Sequence, residues 1–157
     1  MKIIRGNILD QKKGIICHQV NCQMVMGAGL ARKIKERYPR AFNQYRDVFG
    51  KIKPAKRLGK AHIVEVVKPV LYVANLFGQY HYLPRNTQHT DYVALTMAFR
   101  QLRQWRNNIK GKDFPVYIPY GIGCGLAGGD WNVVSGIIRD IFPDATIVKL
   151  PPGVQKG

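Results

Sequence analysis

Two segments of this sequence are suited to hold an anion: Asn21-Cys22-Gln23-Met24-Val25-Met26-Gly27-Ala28-Gly29 and Gly121-Ile122-Gly123-Cys124-Gly125-Leu126-Ala127-Gly128-Gly129. Each follows a β-branched apolar run and precedes a helical pattern. Glycine lets a backbone approach a phosphate and turn its N–H groups toward it, and the start of a helix adds a partial positive charge. Either loop alone reads as a tight turn; the pair predicts a diphosphate gripped from two sides. His18 precedes the first loop and can serve as base, acid or nucleophile near neutral pH, or else stand as a buried strand-end histidine satisfied by backbone. Asp130 follows the second loop and can activate water or cap the next helix. His81 and His89 lie in an aromatic, polar stretch and read as surface residues.

Other chemistries fit less well. Gly123, Gly125 and Gly128 satisfy G-x-G-x-x-G, but only 29 residues follow Gly128, and the dinucleotide fingerprint belongs to a first βαβ unit. The phosphate-loop pattern ending in Gly-Lys-Ser/Thr does not occur. Cys17, His18 and Cys22 lack a second ligand pair at zinc spacing, so neither a metal nor a cofactor is expected. Three cysteines in apolar or glycine-rich contexts suit reduced thiols better than a disulfide framework.

The elements that must position these residues alternate. Lys2–Arg5 and Gly14–Val20 read as buried strands, both central. Leu30, Ala31, Ile34 and Tyr38 recur at helical spacing as far as Pro39, which opens a second helix through Phe49. Gly50–Lys60 reads as a basic loop, and Ala61–Val67 with Val70–Phe77 as a hairpin turning at Lys68-Pro69. Thr90 can cap a helix whose apolar positions are Val93, Leu95, Met97, Phe99, Leu102 and Trp105. Phe114–Pro119 is a strand, Trp131–Phe142 an amphipathic helix and Ala145–Leu150 a last strand. This order predicts an α/β protein, a three-layer α/β/α sandwich in one domain over residues 1–150, with a flexible tail over 151–157.

The 25 Lys and Arg against 9 Asp and Glu give a formal charge of +16, a field that draws polyanions. Between Arg32 and Lys60 eleven of these cations face two acids, Glu36 and Asp47, which is either an anion-binding surface or a solvated helical face. No apolar run reaches bilayer length and the N-terminus lacks a signal-peptide core, so a cytoplasmic protein with no membrane partner is expected.

Four ordered motifs resemble those of the macrodomain family: Ile4-Arg5-Gly6-Asn7-Ile8; His18-Gln19-Val20-Asn21-Cys22 with Met26-Gly27-Ala28-Gly29-Leu30-Ala31; Tyr72-Val73-Ala74-Asn75-Leu76-Phe77-Gly78-Gln79; and Pro119-Tyr120-Gly121 through Gly129-Asp130-Trp131. The likeness runs from Lys2 to about Leu150 and is strongest to the compact branch holding the yeast-type ADP-ribose 1″-phosphate phosphatase and the terminal ADP-ribose protein glycohydrolase. It implies a mixed sheet with ADP-ribose in a cleft at the strand ends. By that resemblance Asn7 and Ile8 fall at the adenine, Asn21 at the distal ribose, and Gly27, Ala28, Gly29, Leu30, Gly121, Ile122, Gly123, Cys124, Gly125 and Leu126 on the phosphate loops. Asn7 replaces the family's usual Asp and can still accept through its carbonyl, without charge.

The departures bear on mechanism. A lysine near the position of Pro84-Arg85 and an aspartate at the position of Ala127 carry the chemistry of the glycohydrolase, and arginine is a poor nucleophile. His18, placed like the histidine implicated in the yeast-type phosphatase, and Asp130 are the remaining catalytic candidates. Three functions follow: a hydrolase acting on ADP-ribose 1″-phosphate or on an ADP-ribosylated protein or nucleic acid; an ADP-ribose reader without turnover; and a basic nucleic-acid-binding protein.

Overall fold

A computed structural model describes residues 1–154; residues 155–157 of the expected tail lie outside the described residues. Six strands, β1 (Lys2–Arg5), β2 (Gly14–Asn21), β3 (Ala61–Val67), β4 (Leu71–Gln79), β5 (Val116–Pro119) and β6 (Thr146–Lys149), form one sheet in the order β1-β6-β5-β2-β4-β3. All neighbouring pairs are parallel except β3 with β4, so the sheet is mixed. The helices are α1 (Gly29–Arg37), α2 (Pro39–Phe49), α3 (Pro54–Arg57), α4 (Tyr92–Trp105) and α5 (Trp131–Ile141).

Strand alternation sorts the core into two layers. Ile15 and Cys17 of β2, with Tyr72, Ala74 and Leu76 of β4, pack with Leu95, Phe99 and Leu102 of α4 and Val134 and Ile138 of α5. Ile16 and Val73 turn the other way, toward Ile34 of α1 and Ala41 of α2, and Val20 and Phe77 continue that layer against Tyr45 and Phe49. Each large apolar side chain so buried contributes about 1.5–3 kcal/mol. The three-layer α/β/α sandwich follows. Cys17 and His18, being adjacent on β2, face opposite layers, which separates two of the residues in the metal pattern.

Three local expectations are corrected. β1 is an edge strand paired with β6 alone, not a central one, and its Ile3 is 59% exposed. Residues 50–60 are not all loop, because Pro54 opens the single turn α3. In α4 the buried positions are Ala94, Leu95, Ala98, Phe99 and Leu102, while Val93 and Met97 face solvent; Asp91, one residue past Thr90, is the cap, its side chain accepting from Ala94 N at 2.9 Å. Small alanines complete a stripe that bulky residues alone misplace.

Candidate functional site: a cleft at the carboxyl ends of the strands

From β2 the chain leaves through α1 and α2 over one face of the sheet, whereas from β5 it leaves through α5 over the other. Neighbouring strands whose connections diverge leave a crevice at their carboxyl ends, which is where ligands enter open α/β sheets. A cleft of about 1230 Å³ opens there, lined by the ends of β1, β2, β5 and β6 and by both glycine-rich loops.

The first loop is bound down at its start and open at its end. Asn21 Oδ1 accepts from Gln23 N at 3.0 Å and Val25 N at 3.3 Å, and its Nδ2 donates to Val25 O at 2.8 Å. Its side chain is thus taken up by the loop itself, an Asx-type turn. Tyr45 Oη donates to Asn21 O, and the buried Arg57 guanidinium donates to the carbonyls of Cys22 and Phe49. Arg57 therefore belongs to the scaffold, although it sits in a run that reads as a solvated cationic face. Burial raises the Cys22 thiol to about 11, with the Arg57 charge opposing. At the far end, Gly27, Ala28, Gly29, Leu30 and Ala31 line the cleft, and Ala28 at the N-cap of α1 supplies no side-chain cap. The first N–H groups of α1 are thus uncapped donors at the cleft wall.

The second loop is tied to its surroundings. Ala127 O accepts from His89 N and Thr90 N, and Gly123 O accepts from Gly129 N and the Thr90 hydroxyl. A Cβ at Gly129 would stand 2.6 Å from Gly123 O, and one at Gly123 would stand 2.9 Å from Gln19 Oε1. At Gly125 a Cβ would meet nothing within 4 Å, and at Gly27 only Val25 Cγ1 at 3.5 Å. The fold therefore demands glycine at Gly123, whose φ is +72°, and at Gly129, whose Cβ would meet a backbone oxygen, but leaves room at Gly27 and Gly125, two positions on the cleft wall.

His18 and Gln19 end the apolar run of β2 on opposite faces, and both line the cleft. His18 Nε2 stands 2.6 Å from Asn75 Oδ1, and Asn75 Nδ2 donates to Ala41 O at 3.1 Å. An amide oxygen only accepts, so Nε2 carries the proton and Nδ1 is left as a bare acceptor. That Nδ1 is buried and has no hydrogen-bond partner within the protein. Burial lowers the His18 pKa to about 4, against the raising effect of the Asn75 bond, so the ring is neutral at pH 7. Gln19 Nε2 donates to Gln79 Oε1 and the Thr90 hydroxyl, both at 2.9 Å, while its Oε1 is likewise buried and unpaired. Neither acceptor is open to solvent, and Gln19 Oε1 stands between Gly78 and Gly123, so both belong to the floor behind the cleft wall. Gln19 escaped the sequence reading; its only sequence signal is a polar pair closing an apolar strand.

The remaining predicted residues divide. Asn7 and Ile8 line the β1 end of the cleft beside Val148, Leu150, Pro151, Pro152 and Val154, a mostly apolar slot, and Asn7 Oδ1 also caps Leu9 N at 2.9 Å. Gly121, Ile122, Gly123, Gly125 and Leu126 line the middle, and Cys124 does not. Arg85 and Ala127 line the opposite end with Tyr82 and Leu83. Asp130 is outside the lining; it caps α5, its carboxylate accepting from Asn132 N at 2.8 Å. His81 and His89 brace the segment between β4 and α4, Nδ1 of His81 accepting from Tyr82 N and Leu83 N, and Nε2 of His89 lying 2.7 Å from Pro84 O. Among the described lining residues Arg5, Lys33, Arg85 and Lys149 are cationic and none is acidic. Nor do the described residues hold a cluster of three metal-ligating side chains.

This sheet order, with its cleft at the diverging ends of β2 and β5, is the macrodomain fold. The macrodomain of Mycobacterium tuberculosis DarG superposes with a TM-score of 0.76 at 23% identity over 97% of each chain. A Bacteroides thetaiotaomicron protein of unknown function gives 0.81 at 24% identity, covering 96% of this chain and 97% of that one. Thermosipho africanus DarTG in complex with ADP-ribose gives 0.76 at 17% identity, covering 98% of this chain and 42% of that one. No family model matches the chain. In sequence it is 29% identical over 157 residues to a DNA ADP-ribosyl glycohydrolase of Mycobacterium tuberculosis, covering 94% of this chain but only 41% of that protein, so it spans about two-fifths of that relative's length. It is 26% identical over 144 residues to an uncharacterized 17.5 kDa protein of Enterobacteria phage T4, covering 88% of this chain and 87% of that protein. No described helix is long and apolar enough to cross a membrane.

Proposed function

We propose that the cleft binds ADP-ribose and that the protein hydrolyses an ADP-ribosyl derivative. One observation carries the reading: among the described residues a single crevice joins an apolar slot, two glycine-rich loops and four cations without an acid. An adenine suits the slot at Asn7 and Ile8, the diphosphate suits the α1 N-terminus and Gly125, and the distal ribose suits the β2 end of the cleft. The name of the mycobacterial relative supports a glycosidic substrate, and the charge of +16 favours one attached to a polyanion.

In such a hydrolysis water bonds to the anomeric carbon of the distal ribose, the bond to the leaving group breaks, and the water proton passes to solvent or leaving group. Neutral His18 has its one ring proton, on Nε2, committed to Asn75, so its Nδ1 can act on that water or on a ribose hydroxyl only as an acceptor, and only once a ligand uncovers this strand end. The described lining offers neither the lysine nor the aspartate of the glycohydrolase pattern, so no covalent lysine step is invoked. The absence of a carboxylate from the described lining also favours a second reading, an ADP-ribose reader without turnover.

Incubation with an ADP-ribosylated oligonucleotide, an ADP-ribosylated protein and ADP-ribose 1″-phosphate, with chromatography of the products, separates these readings. Free ADP-ribose, formed at least tenfold more slowly by His18→Gln with ADP-ribose binding retained, supports the hydrolase. Phosphate release alone assigns a phosphatase, binding without product assigns the reader, and no binding removes all three.

A further inference from the structure

We propose that the Tyr80–Gln88 rim of the cleft, continued onto the exposed lysines around α3, is a binding surface for single-stranded nucleic acid. Its role beside the substrate rests on the orientation of ADP-ribose proposed above; its affinity for a bare strand does not.

Large apolar side chains gather at this rim instead of in the core: Tyr80 is 46% exposed, Tyr82 38%, Leu83 48% and Leu126 62%. The segment is nonetheless braced. The His81 ring stacks on Tyr82 with centroids 5.1 Å apart, its Nδ1 accepts from two successive backbone N–H groups, and His89 reaches back to Pro84 O. Exposed rings held on a braced loop are the platform on which unstacked bases lie, and a duplex hides those base faces. Beside the rim a second depression of about 420 Å³, lined by Arg85–Gln88, Gly125, Leu126 and Gly128, shares Arg85, Gly125 and Leu126 with the main cleft. A group attached to the distal ribose leaves the cleft at that end, beside Thr87, Gln88 and Asn86, whose polar side chains suit a nucleobase edge.

The cationic half adjoins the aromatic half through bonded contacts. Tyr80 O accepts from Cys22 N and Gln23 Nε2, and Cys22 O accepts from Arg57 of α3. In the chain around Arg57, Lys51, Lys53, Lys56 and Lys60 are all exposed, and no acid occurs between Asp47 and Glu65. These lysines are not in the cleft lining. A strand tracking them with its backbone would present bases to Tyr80 and its modified nucleotide to the mouth of the cleft.

Fluorescence anisotropy with a labelled single strand of about 15 nucleotides tests the surface. Binding should weaken linearly on a log–log plot against salt. Tyr80→Ala should weaken it about tenfold. Lys53→Glu with Lys56→Glu should weaken it at least tenfold and reduce the salt slope by about 1.4. Both variants should melt like the wild type and bind free ADP-ribose within about twofold of it, since Tyr80, Lys53 and Lys56 are not among the residues that line the cleft. Absence of binding at about 50 mM salt, indifference to both variants, or equal affinity for duplex overturns the proposal. So does equal affinity for a polyglutamate peptide that responds to the lysines and not to Tyr80, which assigns the face to acidic protein. Failure of the wild type to bind ADP-ribose sinks the cleft reading while leaving the strand measurement to be judged by itself.

Discussion

The loop after β2 and the loop after β5 are alike in sequence, yet their glycines answer to different demands. In the second loop Gly123 is required by its left-handed φ of +72° and Gly129 by the backbone oxygen packed against it, and the helix that follows is closed by its own aspartate. In the first loop Gly27 has open space around it, and α1 begins without a side-chain cap or an acid in its first turn. One loop is a wall fixed by the protein; the other is an end left for a ligand. A glycine that the fold does not need, beside uncapped helix N–H groups, marks a binding position more specifically than glycine content does.

The largest effect concerns the strand from which the open loop departs. The His18 pKa falls from 6.5 to about 4 on folding, so the unfolded chain binds more protons between those values and stability rises with pH there. About 2.5 units correspond to about 3 kcal/mol present above pH 6.5 and lost as pH falls toward 4. His62, lowered by the same burial, adds in the same direction. Urea melts at pH 4.5 and 7 should show this loss, and His18→Gln should remove the larger part of it; a pH-independent difference would place His18 outside the buried, neutral state.

Next, Gly27→Val should lower ADP-ribose affinity about a hundredfold, or about 2.7 kcal/mol, with an unchanged melting temperature. Equal loss of stability would erase the distinction between the loops. Gly129→Ala should do the reverse, costing about 2 kcal/mol through the clash with Gly123 O, read as a lower urea midpoint. Asp130→Ala should cost about 1 kcal/mol as a lost N-cap and leave turnover unchanged; a hundredfold loss of rate would return Asp130 to the chemistry.

Much of this comparison was legible in the sequence, because a strand, a glycine-rich run and a helix in succession are local patterns. Pro39 marks the start of α2 and Asp130 that of α5 for the same reason. Pairing over distance was not legible. β1 looks like any buried strand until β6, more than 140 residues later, shows it to be an edge. Arg57 is indistinguishable by type from the solvated lysines around it until Cys22 and Phe49 surround its guanidinium. The tautomer of His18 depends on Asn75, 57 residues away on the neighbouring strand. Whether a polar strand-end residue is paired or orphaned is a property of the sheet, not of the strand.

Calorimetric titration of ADP-ribose into the wild-type protein, beside AMP, tests the central claim most directly. One site of micromolar affinity for ADP-ribose is expected, with at least tenfold weaker binding of AMP, which lacks the second phosphate and the distal ribose. No binding heat at millimolar ADP-ribose, or equal affinity for AMP, would contradict it.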